Sequence, residues 1–170
     1  MIAACAEALP FSNGSFDRVV GDSVFEHMLP PEQSTAMAEC RRVLRPRGYL
    51  FASTPNRFSL GPDPHVGLWL GSCLPGRLVT EYVRRQGGNP PHRHLLSQRT
   101  LRKLITGAGF AEPAIYAPDI PSGQRASLNS TLNHLVDLYQ AARLVPGGER
   151  LLTWIGPLLH AAAGLPEATE

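Results

Sequence analysis

Cysteine is scarce in this chain: Cys5, Cys40 and Cys73 stand far apart, and none belongs to a Cys-x-x-Cys pair. That spacing gives no support to a disulfide framework or a zinc knuckle, and a reducing, cytoplasmic setting is the expectation. An excess of one charge is also missing, since 16 Lys and Arg face 14 Asp and Glu for a formal charge of +2. The arginines are scattered and do not form a stripe with interleaved aromatics, so nucleic acid is not an expected partner. Long hydrophobic runs are lacking as well. The stretch from Leu151 to Pro166 is broken by Gly156-Pro157 and falls short of the ~20 apolar residues a membrane helix needs. The residues before Glu7 have neither the basic group nor the apolar run of a secretory leader, so none is expected.

What is present suits a folded domain. In 170 residues, 43% are hydrophobic and 18% charged, enough to bury a sizeable core. Gly and Pro number 16 each, which predicts long loops. The segment Phe16 to Val24 follows a Ser-Asn-Gly-Ser turn, centres on β-branched residues and reads as a strand. A helix is expected from about Pro31, with Ala36, Cys40, Val43 and Leu44 on its apolar side, three arginines near its end and Pro46 as its stop. Gly48 to Thr54 then reads as a second, doubly covered strand. Strand, helix and strand over this length make a βαβ unit with a parallel pair.

The rest divides into three stretches. Residues 57–95 are rich in Pro and Gly and read as a lid or insertion with one short helix over Leu78 to Gln86. Residues 96–120 hold a helix capped by Ser97, with Leu101, Leu104, Ile105 and Ala108 inward, and a strand over 111–117. Residues 121–170 hold an amphipathic helix from Leu128 to Leu144 and a short helix from Gly148. Leu158 to Ala163 stays open between helix, which its alanines favour, and a last strand. The domain organisation read from this is one partial domain over 1–170, with its sheet core in 1–56.

Several catalytic motifs are missing or weak. No Ser sits in a Gly-x-Ser-x-Gly elbow, so acyl transfer has no nucleophile. His92 and His94 form a His-x-His pair, but no Cys or carboxylate stands nearby at ligand spacing, so no metal is expected. Asp22, Ser23, Phe25, Glu26 and His27 lie just past the first strand, at the carboxyl edge where open α/β sheets bind ligands. His27 is the candidate proton acceptor, the alternative being a structural His bonded to loop backbone. Trp69 and Trp154 could meet an apolar substrate or serve only to bury apolar surface.

Ala6-Glu7-Ala8-Leu9-Pro10-Phe11, Gly14-Ser15-Phe16-Asp17, Glu26-His27, and Glu39-Cys40-Arg41-Arg42-Val43-Leu44-Arg45-Pro46 with Gly48 together resemble the central part of class I S-adenosylmethionine-dependent methyltransferases of the small-molecule type. The likeness spans residues 1–56 and continues less specifically through Ser97 to Phe110. It implies an α/β, Rossmann-like methyltransferase fold. The opening would match the exit from its third strand, Phe16 to Val24 its fourth, and Gly48 to Thr54 its fifth. The expectation is a domain lacking its first two βα units.

The resemblance also implies S-adenosylmethionine as cofactor and a small-molecule acceptor. In the family a Gly-rich turn and an acidic ribose-binding residue follow the first two strands, and neither motif is found here. Cofactor contacts are expected from Cys5, Ala6, Glu7, Ser23 and Phe25, and substrate contacts from Asn56 and His65. Cys5 stands where an Asp usually accepts from the adenine amino group, and a thiol is a weaker acceptor. Methyl transfer is therefore expected only from a longer or complemented chain, with a missing N-terminal half or a partner chain supplying the other wall of the pocket. The alternative is a non-catalytic remnant or subunit acting through protein association.

Overall fold

A computed structural model describes residues 2–61, 63, 67–90, 92–120, 122–125 and 129–166. Strand β1 (Phe16–Asp22) leads through a 3-10 turn (Phe25–His27) to helix α1 (Pro30–Val43) and strand β2 (Leu44–Pro55). Helices α2 (Gly76–Arg85) and α3 (Gln98–Gly107), strand β3 (Ala114–Tyr116), helices α4 (Ser122–Arg125), α5 (Ser130–Leu144) and α6 (Gly148–Ile155), and strand β4 (Leu158–Gly164) follow. The four strands form one sheet in the order β1-β2-β4-β3.

β1 and β2 are parallel, as a strand–helix–strand unit requires, with Val19 opposite Leu50 and Asp22 opposite Ser53. β4 runs antiparallel to both β2 and β3. Its identity as a strand is decided by pairing, which overrides the helical preference of Ala161, Ala162 and Ala163. Burial alternates along it, with Leu159, Ala161 and Ala163 inside.

α1 begins at Pro30, where Pro at the first turn leaves no donor unsatisfied, and Glu32 accepts a 2.7 Å bond from the Leu29 N–H. It ends at Val43 with no intervening loop, because Leu44 is already extended. β2 thus starts four residues before the Gly48 expected from the sequence. The cost is an irregular ladder between Phe16 and Arg18 and a left-handed Arg47 (φ 65°) next to Pro46. Ser97 caps α3 as expected, its Oγ accepting from the Thr100 N–H at 3.2 Å. Asn129 caps α5 through Leu132, and Leu128, where that helix was expected to begin, lies outside the described residues. The described opening residues 2–5 have no strand pairing.

One face of the sheet is covered. Ala36, Met37 and Cys40 of α1 and Leu101 and Ile105 of α3 pack over Leu50, Ala52, Leu159, Ala161 and Ala163. Burial raises the Cys40 thiol to a pKa of about 11, which keeps it protonated and unreactive at neutral pH. The other face is largely open, with Val20 71% exposed and Tyr49 and Phe51 partly so.

An ionic staple fastens the opening segment to α1. The Arg42 guanidinium bonds both Glu39 carboxylate oxygens (2.6 and 2.8 Å), the Leu9 and Phe11 carbonyls and Asn13, while Glu39 also accepts from the Leu9 N–H. Arg42 first, and the Leu9 N–H second, lower the Glu39 pKa to about 2. A depressed folded-state value means that the stabilisation is complete above the ordinary carboxylate range and fades as pH falls towards about 2. We therefore expect Glu39→Gln to lower the thermal midpoint at neutral pH and to converge with the parent as pH approaches 2. A constant offset across that range would show that the staple carries no ionic stabilisation.

Candidate functional site

The parallel register brings the carboxyl ends of β1 and β2 side by side. There the Ser53 hydroxyl donates to the Asp22 carboxylate, and the Ser23 N–H donates to the Ser53 carbonyl at 3.1 Å. Ser23 is left-handed (φ 52°), a conformation that a residue with a Cβ adopts only under constraint and that recurs at ligand sites. It turns the chain sharply into the 3-10 turn. Phe25 tucks back into the core against Gly21, where a Cβ would lie 2.7 Å from its ring. Only glycine lets the turn sit so close to the strand.

Glu26 is fully buried beside this edge. Its Oε2 accepts from the Thr54 hydroxyl at 3.3 Å, and its Oε1 has no hydrogen-bond partner among the described residues. His27 closes the turn with an exposed side chain, its N–H bonding the Val24 carbonyl at 3.2 Å. Gln33 locks the region, donating to the Phe25, Met28 and His94 carbonyls.

On the open face, a 510 Å³ depression runs from this edge across β2 to β4 and β3. Val20 and Phe51 form its floor, and Asp22, Ser53, Tyr116 and His160 supply polar groups. Tyr116 meets the His160 ring edge-on at 5.6 Å. Burial lowers the His160 pKa below the ordinary imidazole value, and the Asp22 carboxylate works against that shift.

The residues singled out from the sequence fall in distinct places. Ser23, Phe25 and His27 gather at the end of β1, and Asn56 follows β2 directly. Asn56 is fully buried, its amide donating to the Trp154 carbonyl (3.0 Å) and accepting from the Phe58 N–H (3.1 Å). Cys5 is exposed, with its carbonyl accepting from the Ala8 N–H in a tight turn. Ala6 packs against the core, and Glu7 is half-buried. His65 lies outside the described residues. Trp154 packs under the Arg99 guanidinium, 5.0 Å from ring centre to Cζ.

Ser53, Tyr116 and His160 were not identified from the sequence. The signal for His160 is the two-residue alternation of β4, which puts it opposite in facing to Leu159 and Ala161 once that segment is known to be a strand.

Residues 1–52 match the family described as Methyltransferase domain. A protein of Mycolicibacterium smegmatis named as a probable S-adenosylmethionine-dependent methyltransferase is 33% identical over 102 residues, 60% of this chain and 31% of that protein. A similarly named protein of Mycobacterium tuberculosis is 32% identical over 107 residues, 63% of this chain and 31% of its own length. The chain thus spans about a third of the curated relatives it matches. Among solved structures, a SAM-dependent methyltransferase from Thermotoga maritima superposes with a TM-score of 0.55 at 18% identity, covering 95% of this chain and 61% of the other. One from Archaeoglobus fulgidus gives 0.50 at 17% identity, covering 94% and 62%.

The geometry makes a prediction for His160. Replacing Asp22 by Asn removes the anion that favours the imidazolium, so the His160 titration followed by NMR is expected to move lower still. An unchanged or raised midpoint would show that Asp22 does not face the ring.

Proposed function

We propose, from a chain that has the Rossmann-like fold of class I S-adenosylmethionine-dependent methyltransferases and is related to them, that it takes part in methyl transfer from S-adenosylmethionine to a small-molecule acceptor at the carboxyl edge of β1 and β2. The observation that carries this reading is the constrained turn after β1. Asp22, the left-handed Ser23 and His27 cluster there beside the end of β2, where open α/β sheets bind ligands.

In this reading Cys5, Ala6 and Glu7 face the adenine side of the cofactor, and Ser23 approaches its methionine end while Phe25 holds the turn in place. Asn56 shapes the acceptor side by anchoring the chain after β2 to α6, and His65 belongs to the same side. His27 is the proton acceptor, being exposed at the edge. Transfer from a sulfonium requires the acceptor in line and water kept away, so positioning supplies most of the rate.

The cofactor wall is shared. Among the described residues no glycine-rich turn links a strand to a helix, and β1 presents an unpaired outer edge on which further strands can build. We attribute the missing contacts to protein outside these 170 residues, either further chain or a partner. A purely associative role for the exposed β1 edge is the rival reading.

Calorimetry of the 170-residue chain at micromolar concentration is expected to give no saturable heat with S-adenosylmethionine. Saturable binding would mean that the pocket needs no second wall. In the longest product of the gene, transfer of a labelled methyl group is expected, with His27→Ala lowering kcat about 100-fold or more. Full activity in that variant would remove His27 as the proton acceptor, and absence of transfer from every form would leave the associative role.

A further inference from the structure

Beyond β2, the described residues between Arg57 and Leu95 form a unit with its own buried ion pair. Asp63 is wholly buried, and it accepts from Arg93 at 2.5 Å and from the Ser72 hydroxyl at 2.9 Å, the Arg93 side chain being only 7% exposed. A buried pair of this kind neutralises Arg93 and ties it to Asp63 across thirty residues of chain. The chain is further tied down by the Arg57 N–H on the Leu96 carbonyl (2.9 Å) and by the His94 N–H on the Glu26 carbonyl (2.6 Å). The second of these bonds joins the unit directly to the turn that carries His27.

Between these ties lies a cavity of 230 Å³. Its polar lining includes Arg57, His92 and His94 with the hydroxyls of Ser72 and Thr80, and no Asp or Glu lines it among the described residues. With Arg93 neutralised, the guanidinium of Arg57 is left without an ion-pair partner among the described residues, and the imidazoles of His92 and His94 are exposed beside it. Gly76 and Thr80, in the first turns of the ten-residue helix α2, line the same cavity, so the positive end of that helix adds to the potential. The combination of a fork donor, two ring N–H donors and a hydroxyl suits a compact anion with several acceptor oxygens. A cation is disfavoured by the same charges, and among the described residues no group of three His, Cys, Asp or Glu side chains could hold a metal.

We propose that this cavity binds a phosphate monoester group, with Arg57 as the principal contact and His92 and His94 as supporting donors. The volume takes a headgroup rather than a whole drug-sized molecule, so the remainder of the ligand extends out of the cavity. Because the unit is bonded to the turn at the end of β1, the phosphate serves as the handle of the methyl acceptor. That last assignment rests on the reading of the site as a methyltransferase, whereas the anion site itself does not.

The test uses inorganic phosphate and the 170-residue chain, with no methyl donor present. Saturable movement of the His92 and His94 imidazole signals is expected as phosphate is added at fixed ionic strength. Arg57→Gln should weaken the affinity about tenfold or more, the scale of a lost charge-assisted hydrogen-bond pair, while the circular dichroism spectrum stays unchanged. His92→Asn should weaken it less. Equal movement with chloride, or an affinity that Arg57→Gln leaves unaltered, would overturn the site, and acetate binding as well as phosphate would overturn the phosphate assignment in favour of a carboxylate. Phosphate binding without any methyl transfer in the longer protein would keep the anion site and remove only its role as acceptor handle.

Discussion

The parallel pairing of β1 with β2 is the constraint from which the other arrangements follow. Pairing Val19 with Leu50 and Asp22 with Ser53 sets both strands to end at one edge. The helix between them must then cross one face, and α1 buries Ala36, Met37 and Cys40 there. The edge itself is left to polar groups. Asp22 is held by Ser53, the chain reverses through a left-handed Ser23, and Glu26 is drawn into the interior, where one carboxylate oxygen has no partner among the described residues. Such strain and unsatisfied polarity persist only where surrounding packing over-determines the backbone. Here the packing is supplied by Phe25 against Gly21 and by the three bonds of Gln33.

The two faces of the sheet differ in a way that bears on how the molecule works. The covered face is a finished core, with Leu50, Leu101, Ile105 and Leu159 completely buried. The opposite face keeps Val20, Tyr49 and Phe51 exposed around the depression that contains His160. Apolar residues on an open sheet face next to an unpaired strand edge form a surface on which further protein can pack. No helix among the described residues is long and apolar enough to cross a membrane.

Much of the architecture was legible in the sequence because local signals agreed with the tertiary outcome. Pro31 with Glu32 marked the start of α1, Ser97 marked the start of α3, and the β-branched centre of Phe16 to Val24 marked β1. What was misplaced or left open shares a cause, since each depended on a partner distant in sequence. β2 extends back to Leu44 because Phe16 is there to pair with it, despite a proline and a left-handed arginine. β4 is a strand because β2 and β3 flank it, although its alanines favour helix. The same holds at the site. Ser23 and His27 could be assigned to the carboxyl edge from the strand alone, whereas His160 and Tyr116 reach the open face only through pairings distant in sequence, His160 with Ser53 and Tyr116 with His160. The ion pair of Asp63 with Arg93, which ties together two ends of a Pro- and Gly-rich stretch, has no signature in the sequence at all.

Electrostatics repeats one device in two places. Arg42 with Glu39 fastens the opening segment to α1, and Arg93 with Asp63 fastens the segment after β2 to itself. The first holds irregular backbone ahead of the amino end of β1, and the second holds irregular backbone beyond the carboxyl end of β2, where helix and sheet bonding do not reach. If the carboxyl edge is where ligands bind, the backbone amides around it must respond to a cofactor fragment even when affinity is weak. The most direct measurement is the amide chemical-shift map of the isotopically labelled chain with millimolar S-adenosylhomocysteine. The account predicts perturbations concentrated at Ala6, Glu7 and Ser23 to His27. Perturbations centred on the opposite end of the pair, from Gly14 to Phe16 and Arg45 to Gly48, would contradict it.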